Sequence, residues 1–302
     1  MKKINQDQVK KSEEYIKNNC RTLELARIDY LLSGGSNTVV ANELRKYQNR
    51  DGGFGHGLEP DFLLPLSSPM ATTEALQIIE ECKIQDEGIV EGAIKYFENT
   101  YIEKRHGWFA LSSEINNYPH AIWWHWDKQK QQTPIDESWG NPTAEIVGYL
   151  NIYKKYISIL DLESIIKNVI NYWECQKEFK SEHEVYCFLR LHKHLEKKLA
   201  KRLEKNLYLA AEKLICLDKN QWNSYVPQPL QFEEFARTGV DENLDFLIDT
   251  IDDDGVWRPS WTWHQPQYDT VWLEQKVKWE GIITVRNLNT LKKYGRILDK
   301  PE

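Results

Sequence analysis

Several things this sequence lacks narrow it before anything present is weighed. Nowhere in its 302 residues do about 18 apolar residues run together, so no membrane span is expected. The opening stretch MKKINQDQVKKSEEY carries no apolar core of a secretory signal, which makes a cytoplasmic protein the expectation. Cysteine is scarce: Cys20, Cys82, Cys175, Cys187 and Cys216 are odd in number, scattered, and show no CxxC spacing. They read as reduced, buried thiols rather than as a disulfide framework or a zinc ribbon. No Lys/Arg-rich run exceeds HKHLEKKLAKR at residues 192–202, and the net charge is -7 with a pI near 5.7. That excludes the electrostatic footprint of a nucleic-acid binder and makes the short basic segment a solvated helix face or junction. Alternating strand patterns are missing as well.

What is present is helical period and tryptophan. Val40, Leu44 and Tyr47 share a face, as do Ile89, Ala93 and Phe97; Ile146, Leu150 and Tyr153; Ile166, Val169 and Trp173; and Leu244, Leu247 and Ile251. The fold class is all-α. Between helices a corner recurs, a polar turn leading to an aromatic: NRDGGF ends at Phe54, KRHGW at Trp108, DKNQW at Trp222 and DDDGVW at Trp257. A second series places proline at a first helical turn with a carboxylate close behind, at Pro69–Glu74 and Pro142–Glu145. Lys278-Trp-Glu-Gly281 is read as the opening of a third such helix. The twelve tryptophans cluster in HAIWWHWD (Trp123, Trp124, Trp126) and near the C-terminus (Trp257, Trp261, Trp263, Trp272). Rings that are large and apolar with a polar edge line cavities as readily as they fill cores.

QNRDGGFG, Gln48 to Gly55, resembles the loop repeated in protein prenyltransferase β subunits and in squalene, oxidosqualene and other class II terpene cyclases, and DDDGVW is similar to a worn copy. The resemblance implies an α/α toroid, a single domain over 1–302 of about six helical hairpins, with inner and outer helix rings around a central aromatic-lined cavity. The departures are specific. Class II cyclases carry Asp-x-Asp-Asp followed by Thr or Ser, whereas Asp252-Asp253-Asp254 leads into Gly255 and Val256 and reads as a turn. Protein prenyltransferases hold zinc through Asp-x-Cys and a later His, and no cysteine here stands two residues after an aspartate. No metal and no other cofactor is expected.

Parallel inner helices of a toroid would gather their N-termini, and the long loops before them, at one end of the cavity. GHGLEPDF puts His56, Glu59 and Asp61 within six residues, and Glu59 and Asp61 are the candidate acid/base carboxylates. Glycine-rich turns also use such carboxylates to satisfy backbone N–H groups. HAIWWHWD supplies Trp123, Trp124, His125 and Trp126 as lining, with His120 and His125 spaced to share a helical face but without the glutamate of HExxH. The segment VWRPSWTWHQPQYDTVW supplies Trp257, Trp261, Trp263 and His264 from a long loop. Glu74 and Glu145 occupy matching places, either complementing helix dipoles or forming a carboxylate pair. The expected partner is a small molecule in the cavity, with no nucleic acid. Three functions stay open: an enzyme on an isoprenoid or other hydrophobic substrate, a carbohydrate-active toroid enzyme with paired carboxylates, or a non-catalytic binding protein of the same fold.

Overall fold

The computed structural model describes residues 1–298, and among them every regular element is helical. The α-helices are α1 (Gln6–Asn19), α2 (Thr22–Ile28), α3 (Asn37–Arg45), α4 (Pro69–Glu81), α5 (Glu87–Thr100), α6 (Gly140–Ile152), α7 (Leu162–Glu174), α8 (Glu182–His194), α9 (Lys197–Leu214), α10 (Val240–Thr250) and α11 (Asp269–Lys293). Extended pairing is confined to isolated bridges. No helix among the described residues is long and apolar enough to cross a membrane.

Local chemistry sets the helix starts. Asn5 and Gln8 form a reciprocal capping box at α1, and Asp86, Asp161 and Ser181 cap α5, α7 and α8 by accepting from a backbone N–H. Pro69 begins α4 as the sequence suggests. Lys278 opens nothing, because α11 runs unbroken through it from Asp269 to Lys293. Its acidic first turn at Asp269 follows the Pro266 turn, which ends the irregular segment.

The chain divides into two compact units. The first takes Met1–Lys46, Glu81–Ile84 and the chain from Ile215 onward. Ile4, Ile16, Ile28, Leu244, Trp257, Val285 and Leu288 build its core. α1 and α2 pack against α11, and Ile4 pairs side by side with Ile297. The second takes Tyr47–Glu80 and Gln85–Leu214, and α6 packs along α8 while α7 meets α9. Trp173 stacks on Phe188 at its centre, ring centroids 4.1 Å apart.

All four corner aromatics are buried: Phe54, Trp108, Trp222 and Trp257. Each indole among them donates its Nε1–H to a backbone carbonyl, Trp108 to Phe97 (2.9 Å), Trp222 to Cys216 (2.7 Å) and Trp257 to Leu247 (2.9 Å). Three corners share a second bond that the sequence does not announce. The backbone N–H of Phe54, Trp108 and Trp257 donates to the hydroxyl of Thr72 (3.0 Å), Thr143 (3.2 Å) and Thr284 (3.3 Å), which stand on α4, α6 and α11. All three threonines are fully or nearly fully buried. The same corner-to-helix module therefore occurs twice in the second unit and once in the first.

The DDDGVW corner is closed in the way its reading as a turn requires. The Asp252 carboxylate accepts from the N–H groups of Asp254 and Val256, both at 3.0 Å, and pairs with Arg258 at 2.7 Å. The cysteines are free, but only Cys82 and Cys187 are buried; Cys20 and Cys216 are half-buried and Cys175 is exposed.

Candidate functional site

The site is built from two loops of the second unit. Glycines set the first. Gly52 has φ of 88°, and a Cβ there would lie 2.2 Å from the Gly92 carbonyl oxygen on α5; at Gly55 it would lie 2.2 Å from that of Leu66. Only glycine lets the backbone pass this closely. Gln48 secures the turn by donating to the Gly52 and Ile89 carbonyls at 2.9 and 3.1 Å. His56, also left-handed at φ of 56°, turns its Nε2 back to Asn49 Oδ1 at 2.9 Å. It is exposed, and this contact ties it to the corner.

Beyond the corner the chain buries Glu59 and Asp61. One Glu59 oxygen accepts from the Asp61 backbone N–H at 2.8 Å, so part of its role is local turn closure. The next residues are stitched to the tryptophan loop: Leu63 N–H donates to the Pro119 carbonyl at 2.9 Å and Ala121 N–H to that of Asp61 at 2.8 Å. Phe62 meets Trp124 edge-on, centroids 5.2 Å apart. Two segments about 60 positions apart, each singled out by its own composition, thus lie side by side.

The tryptophan loop is not an α-helix. Ile122–Trp124 form one 3-10 turn between extended residues, so the helical-face expectation for His120 and His125 fails. The two rings meet anyway, Nε2 of His120 lying 3.1 Å from Nδ1 of His125 with the planes 19° apart. His120 is 2 % exposed, and its Nδ1 lies 2.6 Å from the Tyr118 carbonyl. Burial pushes its pKa below the usual imidazole value; the Tyr118 carbonyl opposes this and His125 reinforces it. Trp124 and Trp126 are buried, Trp123 half-buried and His125 exposed. Trp126 packs on Phe109 at 5.5 Å, and the Trp124 indole N–H is buried without an acceptor among the described residues.

The C-terminal tryptophans belong to the first unit. Trp257 and Trp263 are buried, the latter against Trp272 at 5.9 Å, so both rings are committed to packing. Trp261 is half-buried between Tyr225 (5.6 Å) and Trp279 (5.2 Å), and its indole N–H, like that of Trp124, is buried without an acceptor. His264 is exposed with φ of 51°, its Nδ1 3.5 Å from Thr262 Oγ1.

Sequence reasoning undervalued one polar layer in the second unit. Glu145 on α6 is buried and accepts from Gln77 of α4 at 2.9 Å and from Arg190 of α8 at 3.1 Å; Arg190 also donates to Gln77 at 3.3 Å. Burial raises the Glu145 pKa, while Arg190 and Gln77 pull it back and Glu74 adds to the rise. One turn on, the buried Tyr149 hydroxyl has no hydrogen-bond partner among the described residues. Helix-dipole complementation does not describe Glu145, which is an interior carboxylate tied across three helices. Its position after Pro142 was the available signal, but Arg190 lies 45 residues away and Gln77 lies 68.

Among the described residues no group of three or more His, Cys, Asp or Glu side chains is arranged to hold a metal ion. No protein-family model, curated protein or solved structure matches this chain.

Proposed function

We propose that this chain is an α/α toroid of the prenyltransferase and terpene-cyclase type that takes an apolar, isoprenoid-like small molecule in the cytoplasm. Glu59 and Asp61 are its acid/base carboxylates, and His56, Trp123, Trp124, His125 and Trp126 belong to its substrate-binding loops. The observation that carries this reading is the stitching of the acidic EPDF loop to the tryptophan loop through Phe62, Ala121 and Trp124. It lays the loop that carries two carboxylates along the loop that carries the aromatic rings, and the two together supply groups suited to proton donation and to stabilising cationic carbon. The recurrence of the threonine-anchored corner in both units supports the toroid.

A carbohydrate-active reading draws on a different observation, the Glu145 carboxyl with its pKa raised by burial and by Glu74. Thermal unfolding with farnesyl diphosphate and with a panel of oligosaccharides separates the two. The isoprenoid reading expects farnesyl diphosphate to raise the midpoint by several degrees, since ligand at about 100 times its Kd stabilises by about 2.7 kcal/mol. Trp123→Ala should abolish that shift. An oligosaccharide-specific shift transfers the argument to the Glu74–Glu145 pair, and no shift with either class overturns both.

A further inference from the structure

The tryptophan loop contains a hydrogen-bond chain whose direction is fixed at one end. The Tyr118 carbonyl can only accept, so its 2.6 Å contact with His120 Nδ1 requires the proton on that nitrogen. His120 is almost wholly buried, in surroundings that disfavour a second proton, so its Nε2 is a lone pair. The 3.1 Å contact to His125 Nδ1 then requires His125 to donate, which leaves the lone pair of neutral His125 on Nε2. His125 is exposed, and its Nε2 has no hydrogen-bond partner among the described residues.

We propose that His125 Nε2 is a proton acceptor presented by the tryptophan loop, and that His120 is the positioning residue that fixes its tautomer. The step is a simple transfer: a proton leaves an O–H, N–H or activated C–H of the bound molecule for His125 Nε2, and the bonding electron pair stays with the molecule. The resulting imidazolium keeps its Nδ1–H bond to His120. Asp127, two residues on, stays ionised because its carboxylate accepts from the Lys130 and Gln129 N–H groups, and His125 adds a smaller favourable interaction. This role rests on reading the loop as a substrate site, but its structural core does not. The tautomer is a property of the ligand-free protein, and so can be measured whatever the fate of farnesyl diphosphate.

The test is long-range 1H–15N correlation on the full chain labelled in histidine, at pH 8, where imidazoles are ordinarily neutral. Both His120 and His125 should appear as Nδ1–H tautomers. In His120→Phe, His125 should lose that preference while His56 and His264 keep their signals. His120→Gln, whose side-chain oxygen can still accept, should restore it and covers the case in which the phenylalanine variant does not fold. Acylation by diethylpyrocarbonate, followed by peptide mass spectrometry, should modify His125 at least about ten times faster than His120. An Nε2–H tautomer at His125 in the unaltered chain, a tautomer indifferent to residue 120, or a slow His125 overturns the proposal.

Discussion

Gly52 and Gly34 separate two reasons for a glycine. Both have positive φ, 88° and 78°, but a Cβ at Gly34 meets nothing within 4 Å, whereas at Gly52 it lies 2.2 Å from the Gly92 carbonyl oxygen. Gly34→Ala should therefore cost only the left-handed penalty of about 1–2 kcal/mol. Gly52→Ala must also displace α5 backbone, and should cost at least about 1 kcal/mol more, read from urea unfolding of the two variants. Equal losses would mean that the corner yields freely. The glycines were legible as a corner because their pattern repeats. His56 was not legible: its attachment to Asn49 depends on a left-handed turn that spacing alone does not reveal.

The buried His120 gives a second expectation at this scale. Its folded pKa lies below the ordinary imidazole value of about 6.5, so the unfolded chain takes up its proton first as pH falls. Between the two values the unfolded state holds more protons, and stability rises with pH. The contribution is complete above about pH 6.5 and is lost as pH falls toward the folded value. Urea midpoints measured from pH 5 to 7 should climb, and less steeply in His120→Gln. An unchanged slope in that variant would show that His120 titrates alike in both states.

At the scale of elements, the joints between corner and helix are the informative parts. Thr143→Val keeps the shape of the side chain but leaves the buried Trp108 N–H without its acceptor, which should cost about 1–3 kcal/mol. Thr72→Val and Thr284→Val should behave alike at Phe54 and Trp257, because the geometry is the same. Near-neutral effects at all three would reduce the module to coincidence. The helices themselves were readable, since their apolar faces repeat with helical period and side chains such as Leu44, Ala93 and Val169 are fully buried. Two readings failed at this scale for lack of tertiary information. Lys278 lies mid-helix because packing along α11 overrides a local start signal. The tryptophan loop stays open because its backbone is drawn into pairing with residues 61–63 instead of with itself.

For the whole molecule, sequence patterns gave helical class but could not give long-range pairing, and the clearest case joins Ile4 to Ile297. Ile4 N–H donates to the Arg296 carbonyl and Leu298 N–H to that of Ile4, both at 2.9 Å. Arg296 anchors the joint: its guanidinium, 1 % exposed, donates to Asp245 (2.6 Å), Asp241 (2.7 Å) and the Lys2 carbonyl (3.0 Å). The Asp245 carboxyl is held below the usual range, chiefly by the Lys2 N–H and then by Arg296. Arg296→Met should cost about 1–3 kcal/mol, less than the 3–5 typical of breaking a fully buried pair, because Asp241 and Asp245 can regain water. Removing residues 1–5 takes away the fully buried Ile4, worth about 1.5–3 kcal/mol, together with the Lys2 contacts. If both changes act on one joint, combining them should cost clearly less than the sum of the two, since the second removes contacts already lost. Urea unfolding of the four proteins in that cycle measures the coupling, and strict additivity would mean that the N-terminal segment and Arg296 stabilise the first unit independently.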